Sequence, residues 1–155
     1  MLADGSGSYP DLTPFNELFA AWAFGNVIPP WPENAGLTAG QWSAPGLFIQ
    51  SGRHDPEIVF ARHDYAYDER QEFWYPVLGT PAEDLLSLID ANEAQIEGAG
   101  VNLRSYIAPG NEHTVLSDGG FYTETVNGVL FVDWVTRLVN HEPGADVHCQ
   151  ECDVG

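Results

Sequence analysis

Lysine is absent from this sequence. Its five basic residues are all arginines, set against 23 acidic residues for a formal net charge of −18. A chain so short of positive charge repels phosphate backbones, which excludes nucleic acid as a partner, and it repels anionic membrane surfaces for the same reason. The acids are scattered rather than gathered in blocks. They read as a solvated, self-repelling surface suited to high salt, in preference to an attractive field for a cationic ligand. No apolar run approaches the ~20 residues of a membrane-spanning helix, and Met1 to Gly7 contain neither the basic nor the apolar stretch of a signal peptide. Phosphate-binding glycine loops are missing, as is any G-x-S-x-G turn of the kind that presents a nucleophilic serine.

What is present suits one globular domain. The 155 residues are 44% hydrophobic, enough to bury a core in a single unit spanning 1–155. Thr13-Pro14 reads as an N-cap and first-turn proline, with Phe15, Leu18, Phe19 and Trp22 following at helical spacing. Thr80-Pro81-Ala82-Glu83 reads as a capping box ahead of Leu85, Ile89, Asn92 and Ile96, and Gly98 and Gly100 end that helix. A last helix is expected from near Gly128, burying Phe131, Trp134, Val135, Leu138 and Val139. Short apolar runs at Gly46–Gln50, Ile58–Ala61 and Leu103–Ile107 read as strands. The βαβα order over 57–140 implies an α/β fold with a parallel sheet, whose chemistry belongs beyond the carboxyl ends of the strands. Between 23 and 45 the periodicity fails in a Trp-, Pro- and Gly-rich, lid-like loop. There Trp31 and Trp42 either stack on a sugar ring as substrate-binding residues or pin the loop to the core.

Asp68 follows one predicted strand and His113 the next, 45 residues on, which leaves room for one crossover helix and one strand. An acid and an imidazole at adjacent strand ends are two members of a Ser-Asp-His triad, the acid orienting the base that deprotonates the serine. The segment Tyr65-Ala66-Tyr67-Asp68-Glu69-Arg70-Gln71 resembles the Ala-Tyr-Asp-x-x-Gln motif of pectin acetylesterases and Notum-like carboxylesterases. Similarity extends to His113 before Thr114-Val115-Leu116, to Phe121-Tyr122, Val126-Asn127-Gly128-Val129 and Asp133-Trp134, to Cys149-x-x-Cys152, and to the opening Ala3-Asp4-Gly5-Ser6-Gly7. The resemblance implies the C-terminal half of an α/β-hydrolase acting on a small ester or acetylated carbohydrate without a cofactor. Asp68 would be its triad acid and His113 its base. In that family the serine and the oxyanion-hole glycines lie in an N-terminal half, which this sequence does not include. The nucleophile is therefore expected from a complementing N-terminal half or a partner chain, or from Ser6 or Ser8, ahead of Ser51, Ser105 and Ser117. An uncovered sheet edge would favour homo-oligomers. The competing expectation is a non-catalytic, self-assembling or ligand-binding fragment.

Two smaller groups remain. Cys149 and Cys152, in the tail 141–155, read as a structural disulfide, which would point to a secreted or extracytoplasmic setting. Zinc held with His141 and His148 is the alternative. His54-Asp55 and His63-Asp64 read as loop polar groups and caps rather than a metal site, with Asp64 as a substitute triad acid.

Overall fold

The computed structural model describes residues 1–78, 84–117 and 119–152. Four parallel strands form one sheet in the order β1 (Leu2–Asp4), β2 (Phe60–Tyr65), β3 (Leu103–Ala108), β6 (Val147–His148). The register sets Ala3 beside Arg62, Arg62 beside Ser105, and Ile107 beside His148. Helices α1 (Thr13–Ala21), α2 (Pro45–His54), α3 (Glu69–Glu72), α4 (Trp74–Leu78), α5 (Leu85–Gly98) and α6 (Phe131–Val139) flank it, and β4 (Thr125–Val126) and β5 (Val129–Leu130) make a separate hairpin. The expected α/β class with a parallel sheet is what the chain adopts.

Every residue of β2 is buried, so its two faces fill two different layers. Ala61 and Tyr65 join Tyr106, Phe131 and Trp134 beneath α6. Phe60 packs with Ile96 and Leu103 beneath α5, whose Leu85, Ile89, Asn92 and Ile96 are buried as their spacing implies. Asp84 caps α5 by accepting from the Ser87 amide at 2.7 Å, while the proposed capping box at Thr80–Glu83 lies outside the described residues.

Four expectations change. Gly46–Gln50 lies within helix α2, not a strand. Pro45 occupies its first turn, and the buried positions Gly46, Gln50 and Gly52 follow helical spacing, which a short apolar run cannot reveal. The glycines are the packing surface: a Cβ on Gly46 would lie 2.3 Å from the Gln41 carbonyl oxygen, and one on Gly52 2.9 Å from Val101. Leu12, not Thr13, occupies the N-cap position of α1, with no side-chain cap. Helix α6 begins at Phe131, because Asn127 and Gly128, both at positive φ, form the tight turn of the β4–β5 hairpin. Val139 on that helix is 71% exposed and is not a core residue.

Beyond Phe60, the α5 side of β2 carries charge, as Arg62 and Asp64. Arg62 is 1% exposed. It donates to Ser105 Oγ (3.1 Å), Asn92 Oδ1 (2.5 Å), the Ile89 carbonyl (3.1 Å) and Glu93 Oε2 (3.3 Å), and its Nε lies 3.7 Å from Asp64. A buried cation is tolerated only when its donors are used in this way. Arg62→Ala strands the carboxylates of Asp64 and Glu93 and is expected to cost about 3–5 kcal/mol in a urea titration. A loss below about 1 kcal/mol would show that the cation is dispensable.

Candidate functional site

Strands β2 and β3 run side by side, and the loops that leave them stay joined. The amides of Ala66, Tyr67 and Glu69 donate to the carbonyls of Ala108, Gly110 and Asn111, and Asn111 Nδ2 returns a bond to Glu69 Oε1 at 2.7 Å. This pairing carries Asp68 and His113 to the same place. Asp68, fully buried, is the N-cap of α3: its Oδ1 accepts from the amides of Arg70 (2.8 Å) and Gln71 (3.2 Å). Its Oδ2 accepts from Gln71 Nε2 (3.0 Å) and meets His113 Nδ1 at 2.7 Å. Three donors besides the imidazole lock Asp68, so its carboxylate offers His113 a fixed partner.

His113 is in turn held from below. The Asp4 carboxylate at the end of β1 accepts from the amides of Val115 (3.1 Å) and Leu116 (2.9 Å) and from His63 Nδ1 (3.0 Å). Burial pushes the Asp4 carboxyl up, but these three donors outweigh it and hold it below the usual carboxylate range. Gly5, at φ +58°, lies directly under the histidine. A Cβ there would stand 2.4 Å from the His113 carbonyl oxygen and 3.0 Å from its ring. His113 therefore presents a fixed ring whose Nδ1 is engaged and whose Nε2 has no hydrogen-bond partner among the described residues.

That ring lines a cleft of about 850 Å³, walled by Gly5, Tyr9, Phe15, Leu18, Trp22, Phe73 and Trp74, with Glu69, Arg70 and Gln71 as its polar members. Trp22 and Phe73 are more than 60% exposed, so their rings are open surfaces in this wall. Trp31 and Trp42 do not line it. Trp42 is buried, and Trp31 stacks on His54 at 3.8 Å, where His54 also pairs with Glu33; together they fasten the 23–45 loop.

None of the serines proposed from sequence is bonded to His113. Ser8 is buried and donates to Asp64 at 2.6 Å, so its hydroxyl is committed elsewhere. Ser105 is buried against Arg62, and Ser117 contacts Thr114. Ser6 is exposed, but it lines a different hollow, together with Ser51. Asp64 does not reach the histidine either. It accepts from Ser8 and from Gln71 Nε2 (3.1 Å), and burial pushes its carboxyl up. Cys149 and Cys152 are bonded to each other, which removes the zinc alternative built on their thiolates. Two contributors were missed as site members, Asp4 and Gly5; Trp22, at the border of the Trp-rich loop, takes the place in the cleft expected of Trp31 and Trp42. Asp4 and Gly5 act across more than 100 residues, so no local pattern announces them. Compared with protein families, curated proteins and solved structures, the chain matches none.

Two outcomes follow from the support under His113. The Asp4 carboxyl is held below its unfolded-chain value, so its contribution is complete at neutral pH. It is lost as pH falls through and below the usual carboxylate range, while alkaline pH leaves it intact. The amide resonances of Val115 and Leu116 should move together in that acidic window, and Asp4→Asn should abolish the transition. Gly5→Ala forces a left-handed residue into a sub-van-der-Waals contact and is expected to lower stability by about 1–3 kcal/mol. It should also displace the His113 ring resonances, and unchanged resonances would refute the proposed close packing.

Proposed function

We propose that this chain supplies the acid and the base of a carboxylic-ester hydrolase of the pectin acetylesterase-like type, with an α/β-hydrolase arrangement of strands around the site. His113 is the general base, and Asp68 orients it and stabilises the imidazolium that forms. The observation that carries this reading is the 2.7 Å contact between Asp68 Oδ2 and His113 Nδ1, which leaves Nε2 directed to the chemistry on a ring lining the cleft. The elements support it as well. Both residues follow adjacent parallel strands, with α5 as the crossover between them. The exposed aromatic rings of the cleft suit a small ester on a carbohydrate, and the Cys149–Cys152 bond suits an extracytoplasmic setting.

The serine comes from outside the described residues of one chain, from a partner chain or a complementing half. One observation favours a second reading, a self-assembling fragment whose dyad is idle. β1 is an edge strand, and apolar hollows flank it on both faces of the sheet. Ala3, Phe15, Phe19, Leu47 and Phe48 line one, and Leu2, Val59, Val135, Leu138 and Val139 line the other. A further layer that covers both would extend the sheet beside β1, next to Gly5 and His113.

The test is hydrolysis of a small activated acetyl ester by the purified chain, alone and in its assembled form, beside His113→Ala and Asp68→Asn. Under the hydrolase reading each variant loses about 10²–10⁴ in rate, and a serine-directed phosphonate labels the active assembly. Equal rates in wild type and His113→Ala, with no labelling, would leave the assembly reading alone standing.

A further inference from the structure

A second group of ionisable side chains lies at the other edge of the sheet and shares no residue with the cleft. Helix α5 presents Asp90, Glu93 and Glu97 at i, i+3 and i+7, on one face. Strand β6 and the residue before it bring Asp146 and His148 to the same place. The donor atoms of Asp90, Glu93 and His148 all lie within 4.8 Å of one another, as do those of Glu93, Glu97 and Asp146. Ligands bonded to one divalent ion at about 2.0–2.4 Å can be separated by no more than roughly 4–4.8 Å. The first trio therefore has the span of a single coordination shell.

The pair at the centre of the trio is close but imperfectly made. His148 Nε2 is sealed from solvent and lies 3.3 Å from Glu93 Oε2, an ion pair that holds the imidazole above its ordinary pKa; the contact lacks the angles of a good hydrogen bond, and the nitrogen has no other partner among the described residues. A buried ring nitrogen left in this state costs free energy that a small rotation toward the carboxylate would recover. An ion placed among the trio would take both atoms as ligands in place of this imperfect contact. The donors are also held in place before any ion arrives. His148 is paired in register with Ile107, and Asn127 Nδ2 donates to its carbonyl at 2.6 Å. Arg62 grips Glu93 from the sheet side, and Asp146 accepts from the Ser105 amide at 2.9 Å.

We propose that Asp90, Glu93 and His148 form a binding site for a divalent transition-metal cation, with Glu97 and Asp146 supplying further negative charge around it. One imidazole with carboxylates selects the zinc class over calcium or magnesium, which favour all-oxygen shells. The ion would clip α5 to the two-residue strand β6, and water would complete its shell. Its role would be structural, because all the donors lie away from the cleft.

The experiment uses the whole chain freed of metal with a chelator, titrated with zinc chloride in a calorimeter at physiological salt and followed by thermal unfolding. One equivalent of zinc should bind and raise the melting temperature, and excess chelator should reverse the shift. Calcium at the same concentration should give no shift. His148→Ala and Asp90→Asn should each abolish the one-site isotherm and the shift, whereas His54→Ala and His141→Ala should keep both. Asp90 is exposed, so Asp90→Asn reports on the site even where loss of His148 perturbs the strand. No zinc uptake by the wild type, or uptake retained by both His148→Ala and Asp90→Asn, would overturn the proposal.

Discussion

Burial of one guanidinium organises this domain. Arg62 sits where β2, β3 and α5 meet, and a cation in that position obliges its surroundings to be polar. Ser105 on the neighbouring strand, Asn92 and Glu93 on the helix, and Asp64 two residues along its own strand all answer it. From Asp64 the chain of bonds runs through the side-chain amide of Gln71 to Asp68 and on to His113. From Glu93 it runs the other way, to His148. The two ends of the molecule that carry ionisable clusters are thus joined through one residue in the middle of the sheet. Replacing such a centre with hydrocarbon on one element alone leaves its partners uncompensated, so the network holds or fails together.

The Asp68–His113 pair is firmly built because two unrelated segments converge on it. Helix α3 is a single turn of four residues, too short to hold itself, yet its N-terminal amides fix Asp68. β1 is three residues long, yet its final carboxylate and the glycine after it fix the loop of His113. Short elements here act as positioning devices, and their strength comes from the long-range contacts they close. The strongly acidic surface adds self-repulsion, which makes closed contacts of this kind, together with the Cys149–Cys152 bond, more valuable to the folded state.

Much of this arrangement was legible in the sequence, for reasons tied to particular residues. Leu85, Ile89, Asn92 and Ile96 repeat at helical spacing because a crossover helix must cover the sheet, and Leu103, Tyr106 and Ile107 mark a strand because a central strand is buried on both sides. Asp68 and His113 stood out because strand ends are where a parallel sheet exposes chemistry. Gly46–Gln50 misled because a run as short as Leu47-Phe48-Ile49 carries no decisive period, and Gly46 and Gly52 are contact surfaces for Gln41 and Val101 that only the tertiary structure reveals. The tryptophans divided in a way the sequence could not indicate. Trp31 and Trp42 turn inward to fasten their loop, while Trp22, at the end of α1, opens onto the cleft. Asp4 was invisible as a site member because its partners lie on distant segments, and His148, weighed as a zinc ligand beside the cysteines, has Glu93 as its neighbour instead.

The position of β1 has a consequence in time. Among the described residues it is paired on one side only, over three residues, and the support under the His113 loop passes through its last carboxylate and the following glycine. Sheet edges open locally far more often than sheet centres do. The support under the imidazole is therefore complete only while that edge is closed. Its lifetime follows the fraying of a three-residue strand, and whatever covers the edge would act as the clock that lengthens it.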